Sequence, residues 1–322
     1  MRVTHNEARL TRRQFHRQVA GATVAGLVAR LEVSAAGQSK FPPGRYVDVH
    51  THLGQTWNGG QPLSVEALLR WMDSVRIAQA VVLPLISPEA SSYPLTSDFV
   101  LAQTKPYRDR LVPFCSIDPR TSYRGGLEGA VEMLRRYIDV GAKGFGEHKP
   151  GVPIDDAANI QLFAACAHVK LPVLFHLDNL RNTDRPGLPG LDKVLGEVPD
   201  CIMIGHGPGW WASISGDATQ SDLGGYPQGK VAPGGALDAL MAKHANLYGD
   251  LSAGSGANAI RRDIAFGREF LIRRADRLMF GTDFLMPGQN VPQIELYDTI
   301  DLPEAVEKNI YRENARGLLG LV

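Results

Sequence analysis

His50 and His52, in Val47-Asp48-Val49-His50-Thr51-His52-Leu53-Gly54, are the pair in this chain whose types and spacing most directly suggest chemistry. Side chains alternate across an extended strand, so residues two apart share a face, and two imidazoles placed that way suit one metal ion. Alone, the pair also fits two polar residues that end a strand in a turn. Four further residues of metal-ligand type follow short apolar runs downstream: Glu147, His176, His206 and Asp283. Each has an ordinary reading as well, His176 as a core histidine, Asp283 as a helix N-cap and Glu147 as a solvated carboxylate. What sets the six apart is their place in the elements that carry them.

From Phe41 onward, short apolar runs alternate with helical patterns. Strands are expected at Tyr46 to Val49, Ala80 to Leu85, Leu111 to Ile117, Ala142 to Glu147, Pro172 to Phe175, Cys201 to Ile204, Asn246 to Leu251 and Arg277 to Phe280. Val65, Leu68, Leu69, Met72 and Val75 recur at helical spacing behind an N-cap at Ser64. Leu127, Val131, Leu134 and Ile138 form a second such stripe. Helices are also expected over Ile160 to Ala167, Leu191 to Leu195, around Leu237, Leu240 and Met241, and over Ile260 to Ile272. Eight strand-helix units predict a single (β/α)8 TIM barrel. A doubly wound open sheet would more typically carry a Gly-rich turn after its first strand, where this chain has His50-Thr51-His52. In such a barrel the reactive residues stand where strands end on the C-terminal face. The first strand ends in His50 and His52, the fourth in Glu147, the fifth in His176, the sixth in His206 and the eighth in Asp283. His148, His168 and His244 show what ordinary scatter looks like.

The 322 residues are 44% hydrophobic and 21% charged, with zero formal net charge and a sequence pI near 7.1. That is a globular chain with no charge imbalance to draw it to nucleic acid or an anionic membrane. Cys115, Cys166 and Cys201 sit inside apolar runs and read as buried small hydrophobes rather than a disulfide framework. Residues 1–37 follow another pattern, with Arg9, Arg12, Arg13 and Arg17 before an apolar segment from Val19 to Ala29 and then Val33-Ser34-Ala35-Ala36. This is the anatomy of an export signal peptide. Thr11-Arg12-Arg13-Gln14-Phe15-His16-Arg17 resembles the twin-arginine motif, with His and Arg where Leu and Lys are usual. The expectation is a periplasmic protein whose barrel domain spans residues 38–322 and which has no membrane contact in its mature form.

The set His50-x-His52, Glu147, His176, His206 and Asp283 resembles the amidohydrolase superfamily, and Gly281-Thr282-Asp283-Phe284 resembles its amidohydrolase-2 branch of small TIM-barrel enzymes. The likeness runs from about Tyr46 to Leu319. Decarboxylases of that branch usually hold one metal with no strand-four ligand. Gly144-Phe145-Gly146-Glu147, by contrast, is similar to the Gly-Glu that bridges two metals in TatD-like hydrolases. The resemblance implies one of two centres. In a binuclear one, His50, His52 and Asp283 hold one ion, His176 and His206 the other, and Glu147 bridges them, with Asp283 as proton shuttle. In a mononuclear one, His50, His52, His176 and Asp283 bind the metal and His206 is free to polarise a substrate oxygen or deliver a proton. A ligand set without Cys favours Zn2+, with Mn2+ compatible.

Substrate contacts are expected from His148 and Lys149 after Glu147, from Arg120, from Asp178 and Arg181 after His176, and from Trp210 and Trp211 in the Gly-rich stretch that runs to Pro233. A cation there would hold a carboxylate or phosphate, and a Trp would stack on a ring or cap the barrel. The expected activity is metal-dependent hydrolysis of a C–N or C–O bond in a small cyclic or carboxylated compound, an amide or lactone. The alternative is non-oxidative decarboxylation of an aromatic or unsaturated acid. The expected partner is a small-molecule substrate, and barrels of this kind are often homodimers.

Overall fold

Apolar β-branched runs bounded by Gly and Pro set the strands, and all eight expected strand-helix units form. The computed structural model describes residues 44–121 and 125–321; the expected signal peptide lies outside the described residues. The strands are β1 Tyr46–Thr51, β2 Ile77–Val82, β3 Leu111–Pro113, β4 Phe145–His148, β5 Val173–His176, β6 Met203–His206, β7 Leu247–Asp250 and β8 Leu278–Met279. Between and after them run α1 Val65–Ser74, α2 Ser97–Thr104, α3 Leu127–Asp139, α4 Ala157–His168, α5 Pro189–Glu197, α6 Pro208–Ala212, α7 Ala236–Lys243, α8 Ala253–Arg261, α9 Ile264–Arg273, α10 Pro292–Thr299, α11 Glu304–Lys308 and α12 Asn314–Leu319. Ser64 caps α1 as expected, its side chain accepting from the Ala67 N–H. The single helix expected over Ile260 to Ile272 is two, because Asp263 leaves helical geometry and caps α9 through Phe266 N–H.

All strand pairs are parallel, in the orders β1-β2-β3 and β4-β5-β6-β7-β8. Two seams join the sheets into a barrel. Cys115 pairs with Phe145 between β3 and β4, and Thr51 pairs with Phe284 between β1 and the segment after β8. At the second seam Val49 N–H donates to Phe280 O at 3.0 Å, and Asp283 N–H to His50 O at 2.8 Å. The Asp48 carboxylate reinforces it, accepting from Thr282 N–H at 3.0 Å and Thr282 Oγ1 at 2.6 Å.

Val47, Val49, Val81, Leu83, Val112, Phe114, Leu174, Ile204 and Met279 fill the barrel interior, and Ala315 and Leu319 of α12 pack against them. The second, larger apolar layer lies between strands and helices. This two-layer packing leaves the C-terminal strand ends as the place where polar side chains can converge. Among the described residues, no helix is long and apolar enough to cross a membrane.

Candidate metal centre

β1 departs from the regular ladder between Asp48 and Thr51, at the point where it delivers its first imidazole. His50 Nε2 and His52 Nε2 stand 3.2 Å apart. The outer nitrogen of each ring is fixed: His50 Nδ1 lies 2.7 Å from Asp250 Oδ2, and His52 Nδ1 lies 2.9 Å from Leu83 O. A carbonyl or carboxylate oxygen only accepts, so each Nδ1 carries a proton, and each Nε2 presents a lone pair when its ring is neutral. Two lone pairs at 3.2 Å do not bond to each other. They match two nitrogens on one tetrahedral ion, which at about 2.0–2.1 Å from the metal stand about 3.3 Å apart.

Two carboxylates complete the surround. Asp283 Oδ1 lies 3.5 Å from His50 Nε2 and 3.4 Å from His52 Nε2. Glu147 Oε2 lies 3.8 and 3.5 Å from the same two nitrogens. Its other oxygen, Oε1, lies 2.8 Å from His176 Nδ1 and 3.7 Å from His206 Nε2. Three groups of candidate ligand atoms come together, His50, His52, Asp283, then Glu147, His176, His206, and also His50, His206, Asp250, with Glu147 reaching the first two. All six expected ligand residues thus meet in one place, and the donor set fits a divalent ion of the zinc or manganese type.

The field inside the site calls for positive charge. Burial favours neutral forms, yet the Asp283 and Asp250 carboxylates hold the His50 imidazole well above its usual pKa. Burial raises Glu147 too, but Lys149 Nζ, 3.2 Å from Oε1, together with His176 and His50, holds it well below the ordinary carboxylate range. Asp283, against burial, is held down at about 2 by His50 and His52. His206 is lowered, by burial first and then by the nearby His50.

Three expected substrate contacts are relocated. His148 follows Glu147 but faces the other way, beside Phe145, where the β4 ladder is irregular. There it is buried between β4 and α4, its Nε2 2.8 Å from Asn159 Oδ1 and its ring against Phe163. Trp210 lies on α6, where a loop was expected, and is fully buried against the strands: a Cβ on Gly205 would come 2.5 Å from its ring. It supports β6 and offers no stacking surface. Trp211 is buried likewise and donates from Nε1 to Asp250 O at 3.0 Å.

The loop cations differ in how committed they are. Arg181 donates to Asp178 Oδ2 and Glu89 O, both at 2.7 Å, and Arg120 is clamped by Asp118 and Glu89. Lys149 faces the centre directly through Glu147. Asp178 Oδ2 also lies 2.9 Å from His176 Nε2 and so orients that ring.

Three residues beside the centre were not singled out from the sequence. Asp250 ends β7 and is fully buried, and Ser252 follows it. The rule that finds Asp283 at the end of the eighth strand finds Asp250 at the end of the seventh. Tyr226, half exposed on the long loop after α6, rests its ring against Gly254 and is raised by burial and by the charge of Asp283.

A family model described as amidohydrolase matches residues 47–321. The chain belongs to the amidohydrolase family. Solved structures similar to this chain agree on the barrel. An uncharacterised TIM-barrel protein from Bordetella bronchiseptica is 17% identical, with a TM-score of 0.61 over 86% of this chain and 98% of its own. A probable 2-pyrone-4,6-dicarboxylic acid hydrolase from Acinetobacter baumannii with citric acid bound is 12% identical, with a TM-score of 0.54 over 86% and 99%. A dihydroxybenzoic acid decarboxylase from a Polaromonas species, with bound manganese and the inhibitor 2-nitroresorcinol, is 16% identical, with a TM-score of 0.53 over 87% and 98%. At these identities the likeness is one of fold. A search of the curated proteins gives no match.

Proposed function

We propose that this amidohydrolase cleaves a C–N or C–O bond, in an amide or lactone of a small cyclic or carboxylated compound, by metal-activated water. The observation that carries the reading is the position of Glu147, one carboxylate oxygen toward His50 and His52 and the other toward His176 and His206. That is where a bridging ligand between two ions belongs. His50, His52 and Asp283 would hold one Zn2+ or Mn2+, and His176 with His206 a second. Divalent ions there supply a Lewis acid and lower the pKa of bound water.

The remaining work falls to the side chains. Asp283 is the ligand candidate most open to solvent, its side chain 21% exposed against 7% or less for the other five. It is therefore the one placed to take a proton from water and return it to the leaving group. Lys149, 11% exposed beside Glu147, is the cation nearest to hand for a substrate carboxylate.

Decarboxylation of an aromatic acid is the second reading, supported by the manganese-bound decarboxylase among the similar folds. Elemental analysis of the purified full chain, with lactone and aromatic-acid panels assayed in parallel, separates the two. The hydrolase reading expects about two ions per chain, ring opening without CO2 release, and loss of the second ion in Glu147→Ala. One ion per chain, CO2 release and unchanged turnover in Glu147→Ala would overturn it in favour of decarboxylation. Export to the periplasm, inferred from residues 1–37 alone, is checked by fractionating cells that express the full chain.

A further inference from the structure

Asp250 belongs to neither ligand group of the proposed binuclear centre, yet it touches a histidine from each. Its Oδ2 lies 2.7 Å from His50 Nδ1, 3.1 Å from His206 Nδ1 and 2.7 Å from Ser252 Oγ, while Oδ1 accepts from Ser252 N–H at 3.0 Å. Ser252 Oγ is itself 2.8 Å from His206 Nδ1. Three donors on one carboxylate oxygen are crowded, and the distances resolve the crowding. His50 Nδ1–H donates straight to Asp250; His206 Nδ1–H donates to Ser252 Oγ, whose own proton goes on to Asp250. The fit around this carboxylate is close: a Cβ on Gly281 would come 2.2 Å from Asp250 Oδ1.

We infer that Asp250, with Ser252 as its extension, is a positioning residue that sets the tautomers of His50 and His206 together, so that one carboxylate keeps both Nε2 lone pairs aimed at the centre. Outer partners of metal-bound histidines fix ring orientation and the site of protonation. Here one partner serves two rings that belong to different ion positions. The inference rests on the metal-centre reading for its consequence and on hydrogen bonding alone for the tautomers.

Asp250→Asn exposes the device through a donor that cannot invert. Ser252 N–H is backbone and must meet an acceptor, so the new amide places its oxygen there and turns its NH2 toward His50. His50 Nδ1 must then accept, and its proton moves to Nε2, into the ligand position. Ser252→Ala, by contrast, removes only the link to His206. Gly281→Ala displaces Asp250, since the atoms nearest to the new methyl belong to Asp250 and Ser252.

The test uses full-length chain labelled with 15N-histidine, stripped of metal with a chelator, and long-range 1H–15N spectra. At a pH alkaline enough to leave both rings neutral, wild type should show Nδ1–H tautomers at His50 and His206, Asp250→Asn should show Nε2–H at His50, and Ser252→Ala should alter His206 alone. Zinc titration of the same samples should show affinity falling about 10- to 100-fold in Asp250→Asn, and falling for one ion only in Ser252→Ala. Thermal melts identify any variant that does not fold, in which case Gly281→Ala replaces it, with both tautomers expected to shift. Retention of both Nδ1–H tautomers and of wild-type zinc affinity in Asp250→Asn would overturn the inference. A wild type with the expected tautomers but no zinc binding would sink the metal-centre reading and leave the tautomer assignment standing.

Discussion

Glu147 and His148 are neighbours with opposite fates, one facing the barrel axis and the other sealed behind it against Asn159 and Phe163. Burial pushes the His148 imidazole down to about 4, so the fold holds it neutral. An unfolded chain protonates the same ring near its ordinary value of about 6.5. Between those two pH values the unfolded state binds more protons, and stability falls as pH drops through the window and is complete above it. The full span corresponds to about 3 kcal/mol. Urea unfolding of wild type and His148→Gln at pH 7 and pH 4.5 should therefore show the variant losing less stability on acidification. Equal losses would mean that His148 reaches solvent or gains a charged partner. The outward turn of His148 was not legible in period-two alternation, because β4 leaves the regular ladder between Phe145 and His148 and sets those two rings side by side. Nor was the commitment of Arg181 to Asp178 and Glu89, because Glu89 lies in a loop far away in sequence.

Among the elements, α6 is the one whose role composition hid. Pro208-Gly209-Trp210-Trp211-Ala212 reads as loop, yet Pro208 starts a helical turn and drives both indoles into the layer outside β6 and β7. Gly205 makes room for it, since any side chain there would meet the Trp210 ring. Gly205→Ala should cost about 1–3 kcal/mol as overpacking, read as a lower urea midpoint, with the metal content of the folded fraction unchanged. Loss of metal without loss of stability would instead make Trp210 part of the site. The strands were readable because apolar runs between Gly, Pro and charged residues are short and regular, and the ends that bear His or carboxylate follow from them. Asp250 shares that signal but lacks a histidine beside it. Its importance comes from reaching two rings on other strands, which spacing along the chain does not encode.

For the whole molecule, closure depends on a seam between the first strand and the last. Asp48 there is buried and raised to about 7 by that burial, with Thr282 hydrogen bonds countering it. Thr282→Val deletes one of the donors while keeping the shape. Leaving the carboxylate short of a partner should cost about 1–3 kcal/mol, seen in the chemical-denaturation midpoint. The seam also divides the centre. Glu147, His176 and His206 all lie on the β4–β8 sheet, whereas His50 and His52 reach Asp283 only across the closure. On the proposed binuclear reading, Thr282→Val should release the ion at His50, His52 and Asp283 at lower chelator concentration than the other, and simultaneous release would speak against two separable positions. The same division orders events during synthesis. His50 leaves the ribosome long before Asp283, and long-range pairing of chain ends is the slow part of folding such a topology. Half of the centre can assemble while the barrel is still an open sheet. The other half exists only in a finished chain, so full metal loading reports that the last strand has found the first.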